Sequence, residues 1–233
     1  LLMADQTFLL KRLIKNCAKQ FNMNATFMAK PFSDEAGNGM HVHLSVVDKD
    51  GKNLFTMDKN KQPQGLFSQA IAGLLKTTPD FLSFYAPHSN SYRRLVHNAD
   101  HAPTTLSWGN ENRTALIRLP EASTEATRLE FRVASADSNP YLVFASVLAS
   151  VYAGIQGKLQ HDKETIGNAH AQHPPSLGVT WREAVEKTSV SSLVKDFFGE
   201  QFQQCYTCVK ESEIKRFEST ITDFEYHSYL RCL

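Results

Sequence analysis

The segment Met40-His41-Val42-His43-Leu44-Ser45-Val46 alternates apolar and polar side chains with a period of two, which commits it to a strand that buries one face and presents the other. Met40, Val42, Leu44 and Val46 fall on the core face; His41, His43 and Ser45 fall on the polar one. Two histidines at i and i+2 on a strand stand about 6 to 7 Å apart. Both can line one cleft, but joint ligation of a single ion is harder, so one histidine can bind metal while the other binds a different group. A half-exposed sheet carrying incidental histidines is the competing reading.

A second segment, Arg128-Leu129-Glu130-Phe131-Arg132-Val133, repeats the design. Leu129, Phe131 and Val133 share one face, and Arg128, Glu130 and Arg132 share the other. A carboxylate between two guanidinium groups is either a surface ion-pair ladder, worth under about 1 kcal/mol per pair, or a divalent-metal carboxylate beside anion-binding arginines. Arginine is dense in this region: Arg93, Arg94, Arg113, Arg118, Arg128 and Arg132 all lie between positions 93 and 132. Converging guanidinium groups fit an anionic substrate such as a nucleoside triphosphate or an amino-acid carboxylate, whereas dispersed ones carry no such meaning. Neither a GxxxxGK[ST] loop nor a GxGxxG fingerprint is present, so any nucleotide must be held by side chains on a sheet.

Bulk composition excludes several classes of function. Positive and negative charges are mixed along the chain to a formal net charge of +1, with no basic block suited to a phosphate backbone, so nucleic acid is not an expected partner. No run of about 18 apolar residues occurs, and the first residues lack the basic and apolar regions of a signal peptide. A cytoplasmic protein without membrane association is therefore expected. Four cysteines, Cys17, Cys205, Cys208 and Cys232, are too few and too unevenly spaced for a disulfide framework. Cys205 and Cys208 have CxxC spacing but fall in a helical stretch, Phe202 to Phe217, with neither a second pair nor a nearby histidine pair.

Periodicity places amphipathic helices at 4–20, 64–85 and 138–160, the last with Asn139-Pro140 at its start. Strands are expected at 25–30, 40–47, 113–119 and 128–134, with a turn at Asp48 to Lys52. Beyond the polar stretch Asn168 to Pro175, the chain from Trp181 onward has a helical pattern. The expected fold is α+β: an antiparallel-rich curved sheet backed by helices, with a sheet and active-site portion at 1–167 and a helical C-terminal portion at 176–233. A helix already under way at the first residues points to a chain cut within a larger protein.

At these residues the chain resembles the glutamine synthetase family. Lys30-Pro31-Phe32 followed by Gly37-Asn38-Gly39-Met40-His41-Val42-His43-Leu44-Ser45 is similar to the family's ATP and metal segment. Asn90 to Val96, then Asn112-Arg113 with Arg118-Leu119-Pro120, then Arg128 to Arg132 with Asn139-Pro140-Tyr141, match three further blocks in the family's order. The resemblance implies a glutamate–amine ligase that uses ATP with Mg²⁺ or Mn²⁺ and forms γ-glutamyl phosphate. It implies that His41 and Glu130 are metal ligands, and that His43, Ser45, Arg118 and Arg128 serve ATP. It further implies that Gly37, Arg94 and Arg132 serve glutamate and that Arg113 stabilises the transferring phosphoryl group. Glutamate and an amine are the implied partners, with homo-oligomeric rings in the full-length protein.

Two departures bear on the amine. Ala36-Gly37 stands where ammonia-using members have Asn-Gly, and the loop Val96 to Pro103 is one residue longer and lacks the glutamate that closes the ammonium site, with Asp100 or His101 as the available substitutes. With Ser107-Trp108-Gly109 and Thr222-Asp223-Phe224-Glu225, these look more like the γ-glutamylpolyamine synthetase branch, whose acceptor is putrescine or a related amine. The family's N-terminal β-grasp domain and remaining metal glutamates are absent from this sequence, so the chain alone is expected to be inactive. Ammonia as acceptor, a catalytically silent binding or structural subunit, and an unrelated histidine–carboxylate metalloenzyme are the alternatives.

Overall fold

A computed structural model describes residues 1–96, 102–177 and 180–232. The chain opens on α1 (Leu2–Gln20), whose Asp5 in the first turn and Lys19 in the last complement the helix dipole. Its buried contact is limited to Ala4, while Leu9, Leu10 and Leu13 face outward.

Residues 25–30, expected as a strand, form none. Their polar backbone groups are satisfied elsewhere: Lys30 N–H donates to Asn90 Oδ1 (2.7 Å), Asn90 Nδ2 returns a bond to Lys30 O (2.9 Å), and Asn38 N–H donates to Ala29 O (2.7 Å). A side-chain amide thus takes the place of a neighbouring strand.

The main sheet has β1 (Val42–Leu44), β4 (Trp108–Asn110), β5 (Ile117–Leu119) and β6 (Leu129–Phe131), in the order β1-β6-β5-β4. β1 and β5 flank β6 antiparallel, and β4 joins β5 in parallel, so the sheet is antiparallel-rich as expected. Strands are shorter than the alternation implied, because hydrogen-bonded partners run out; Met40 and Val47 keep isolated bonds or bridges only. A two-stranded hairpin, β2 (Thr56–Met57) with β3 (Pro63–Gln64), leads into the next helix.

That helix, α2 (Gly65–Tyr85), is the axis of the core: Phe67, Ile71, Leu74, Phe81, Leu82 and Phe84 are almost wholly buried. Burying each such side chain contributes about 1.5–3 kcal/mol. α4 (Pro140–Gln156) lies along α2 and is started by Asn139, whose side chain accepts from Tyr141 N–H, with Pro140 in the first turn. The two helices touch backbone to backbone at Gly73 and Gly154, where a Cβ on either glycine would come within 2.2 Å of a carbonyl oxygen of the other helix.

The other helices are α3 (Ser89–Arg94), between α2 and β4, then α5 (Ala169–Gln172), α6 (Trp181–Val190), α7 (Ser192–Phe198), the longer α8 (Glu200–Glu218) and α9 (Asp223–Tyr229). α6 begins with a capping box of Thr180 and Glu183. Phe198, Phe202 and Tyr206 close against Phe81 and Phe84, and Tyr206 Oη donates to Ser83 O (2.7 Å). The helical C-terminal region therefore packs into the same core as the sheet. Among the described residues, no helix is long and apolar enough to cross a membrane.

Candidate functional site

Strand register builds the site. In β1 and β6, His43 stands opposite Glu130, and in β5 and β6, Arg118 stands opposite the same Glu130. Three strands thus set His43, Glu130 and Arg118 in one row across the sheet, with Val42, Leu129 and Phe131 buried on the other side.

Glu130 is the hub. Its Oε1 receives Arg132 Nη1 (2.6 Å) and lies 2.8 Å from His41 Nδ1, and its Oε2 receives Arg118 Nη1 (2.6 Å). The Glu130 and Arg132 side chains are 4% and 3% exposed, so the surface-ladder alternative fails for this pair: it is a buried, charge-assisted network. Burial alone would raise the Glu130 carboxyl, but the His41 and Arg118 hydrogen bonds and the Arg132 charge outweigh it and hold the group far below the usual carboxylate range. Glu130 is consequently an anion at any physiological pH.

Cations crowd the rim. Arg128 Nε donates to His43 Nδ1 (3.3 Å), and burial, helped by the charges of Arg128 and Arg118, lowers the His43 pKa despite the opposing pull of Glu130. Its imidazole is therefore neutral at pH 7. Ser45 lies exposed two residues beyond His43 on the same strand segment. Arg132 Nη2 donates to the Arg113 backbone carbonyl (3.0 Å), which ties the Arg113 backbone to the edge of the network, and Arg113 itself is exposed. Arg118 Nη2 reaches a further carboxylate, Glu111 Oε2 (2.7 Å).

Arg94 behaves differently from the other arginines. It is buried, and its two Nη groups donate to Val133 O (2.8 Å) and Arg132 O (3.0 Å), so it pins the end of β6. Burial, and secondarily the charge of Arg132, lowers its pKa to about 10. Gly37 and Gly39 lie against its stem and head: a Cβ at Gly37 would sit 2.6 Å from Arg94 Cγ, and one at Gly39 would sit 2.7 Å from Arg94 Nη2. The loop bearing Gly37 is thereby seated on an arginine that the resemblance implies for substrate.

His41 and Glu130 suit a divalent ion in part. Their 2.8 Å separation matches the roughly 2.9 Å between neighbouring ligands of an octahedral ion held at about 2.0–2.1 Å. Among the described residues, no group of three or more His, Cys, Asp or Glu side chains is placed to hold a metal. Cys205 and Cys208 are exposed free thiols on α8, remote in sequence from this sheet. In the loop Val96 to Pro103, residues 97–101, including Asp100 and His101, lie outside the described residues.

Sequence patterning passed over Glu111. It follows β4, and its φ of +49° lies in the left-handed region, which non-glycine residues seldom adopt. The nearest signal was its place in Asn110-Glu111-Asn112-Arg113, two residues before a candidate arginine.

The chain is similar to known proteins over nearly its whole length. The family model described as glutamine synthetase, catalytic domain, matches residues 1–229. Gamma-glutamylputrescine synthetase PuuA of Escherichia coli strain K12 is 35% identical over 221 residues, covering 95% of this chain and 46% of that protein. Type-1 glutamine synthetase 2 of Dictyostelium discoideum is also 35% identical, over 99% of this chain and 45% of its own length. A solved structure titled "Apo GmaS without ligand" superposes with a TM-score of 0.87 at 28% identity, covering 98% of this chain and 53% of that one. The chain spans about half the length of the curated relatives it matches. It belongs to the glutamine synthetase catalytic-domain family.

Proposed function

We propose that the protein joins the γ-carboxylate of glutamate to an amine, with ATP converted to ADP and phosphate, and that the acceptor is a polyamine such as putrescine. The observation that carries this is the buried Glu130, flanked by His41 and His43 and ringed by Arg118, Arg128 and Arg132. Phosphoryl transfer needs little more of a protein than positioned cations around an in-line reaction, which this row provides. Membership in a family whose relatives include ligases named for putrescine and ethanolamide supports the amine, as does Ala36 in place of an amide side chain.

In this reading a glutamate γ-carboxylate oxygen attacks the terminal phosphorus of ATP and ADP leaves. The amine nitrogen then attacks the acyl carbon, loses a proton, and phosphate departs with the oxygen that glutamate supplied. His41 and Glu130 would hold a Mg²⁺ or Mn²⁺ ion, whose contribution is to neutralise charge on the phosphates. Neutral His43, with Ser45, Arg118 and Arg128, binds and orients ATP. Arg132 and Gly37 are assigned to glutamate, Arg132 from within the buried Glu130 network, with Arg94 seating the Gly37 loop, and Arg113 is assigned to the charge on the phosphoryl group in flight.

The described residues supply two metal donors, so the chain on its own is expected to turn over poorly. Homo-oligomeric assembly of the whole protein is part of the proposal; the exposed Leu9, Leu10 and Leu13 of α1 and Phe224 and Leu230 near the C-terminus support it. The test is product mass after the intact gene product meets glutamate, ATP and Mg²⁺ with equimolar ammonia and putrescine. The γ-glutamylputrescine mass is expected to dominate. Glutamine as the main product overturns the acceptor, and an absence of ADP formation overturns the ligase reading.

A further inference from the structure

We propose that Glu111 is a positioning residue that holds one Nη group of Arg118 away from Glu130 and so fixes the guanidinium where it faces the phosphates. The inference rests on the ligase reading and goes beyond it by giving a role to a residue outside the candidate site set.

The geometry is specific. A guanidinium meets a single carboxylate best with two parallel N–H bonds. Arg118 instead splits its two Nη groups between two carboxylates, with Nη1 on Glu130 Oε2 (2.6 Å) and Nη2 on Glu111 Oε2 (2.7 Å). Its Nε is buried and has no hydrogen-bond partner among the described residues. Such a split leaves a donor unsatisfied, and it persists because Glu111 is held from several sides. The Glu111 N–H donates to Leu119 O (3.1 Å), and its other carboxylate oxygen accepts the Glu121 N–H. Its backbone is in the left-handed region at φ +49°. Backbone of this kind is unfavourable for a non-glycine residue and persists only where the surroundings impose it.

The clamp also reaches the second phosphate-side arginine. Glu121 begins the segment that ends at Arg128, whose Nε lies on His43. One half-exposed carboxylate therefore fixes Arg118 directly and anchors the base of the loop that carries Arg128. Without it, Arg118 Nη2 loses its partner and the guanidinium, held by Glu130 Oε2 alone, is free to turn away from the phosphates.

The sign of the effect separates this from simple electrostatics. Deleting a negative charge beside a triphosphate site should tighten binding, whereas losing the clamp should weaken it. The experiment measures binding of a fluorescent ATP analogue with Mg²⁺ by anisotropy in the intact protein. Four variants enter: Glu111→Gln, Glu111→Asn, whose shorter side chain tolerates the left-handed backbone, Arg118→Gln, and the Glu111→Gln/Arg118→Gln double variant. Glu111→Gln and Glu111→Asn are each expected to weaken binding about tenfold, in keeping with loss of a charged hydrogen bond. On the Arg118→Gln background, Glu111→Gln should change affinity less than about twofold, because the two act as one unit. Unchanged or tighter binding in the single Glu111 variants, or a full further loss in the double variant, overturns the role of Glu111 and leaves the ligase reading standing. Failure of the wild type to bind the analogue overturns the ligase reading and this inference with it.

Discussion

Glu130→Ala is expected to destabilise the fold by about 3–5 kcal/mol, the loss that follows removal of one partner from a buried ion pair. Arg132 would be left with its charge inside the protein and Arg118 would lose one of its two carboxylates. The cost comes mainly from the stranded guanidinium and less from lost attraction. A double variant, Glu130→Leu with Arg132→Met, should therefore recover most of the stability, since an apolar pair of similar volume carries no desolvation penalty. Urea unfolding of the three proteins measures this. A single-variant loss below about 1 kcal/mol would mean that water reaches the network and that it behaves as a surface pair.

The second large effect lies in the core. Gly154→Ala places a methyl group 2.2 Å from Gln69 O and under 3 Å from the Gly73 backbone. These are main-chain atoms of α2, so no side chain can swing aside, and the helices must separate along their longest contact. Overpacking of this kind costs about 1–3 kcal/mol and more where backbone must move, so a loss near 3 kcal/mol is expected. For a chain of this size each kcal/mol moves the melting temperature by about 2–4 °C, which puts the shift near 6–12 °C. Leu148→Ala on the exposed side of the same helix should change stability by no more than about 0.5 kcal/mol. Equal shifts in the two variants would show that α2 and α4 do not meet as described.

Legibility in the sequence followed the length over which one period holds. α1, α2, α4 and α8 carry several turns of helical pattern and were placed within a few residues, even though Pro79 lies inside α2. α3, with six mostly polar residues, and the two-residue strands β2 and β3 offer too little repetition to read. Residues 25–30 have a strand's composition but no strand partner, because Asn90 satisfies Lys30 from a helix distant in sequence. The polar face was legible because alternation alone sets His41, His43, Glu130, Arg128 and Arg132 on the side opposite the apolar residues, although Glu130 and Arg132 are themselves buried. What alternation cannot convey is direction in space. Arg94 resembles its neighbours in the sequence yet turns inward onto backbone carbonyls, and Glu111 acquires its role from a left-handed backbone that residue type does not announce.

Glutamate carrying ¹⁸O in its γ-carboxylate offers the most direct test of the central claim, that this polar sheet face serves phosphoryl transfer to a carboxylate followed by amide formation. The intact protein is given labelled glutamate, ATP, Mg²⁺ and putrescine, and the released phosphate is weighed by mass spectrometry. The account expects one ¹⁸O in each phosphate formed with product, because the oxygen that attacked phosphorus leaves with it. Product accompanied by unlabelled phosphate would contradict it.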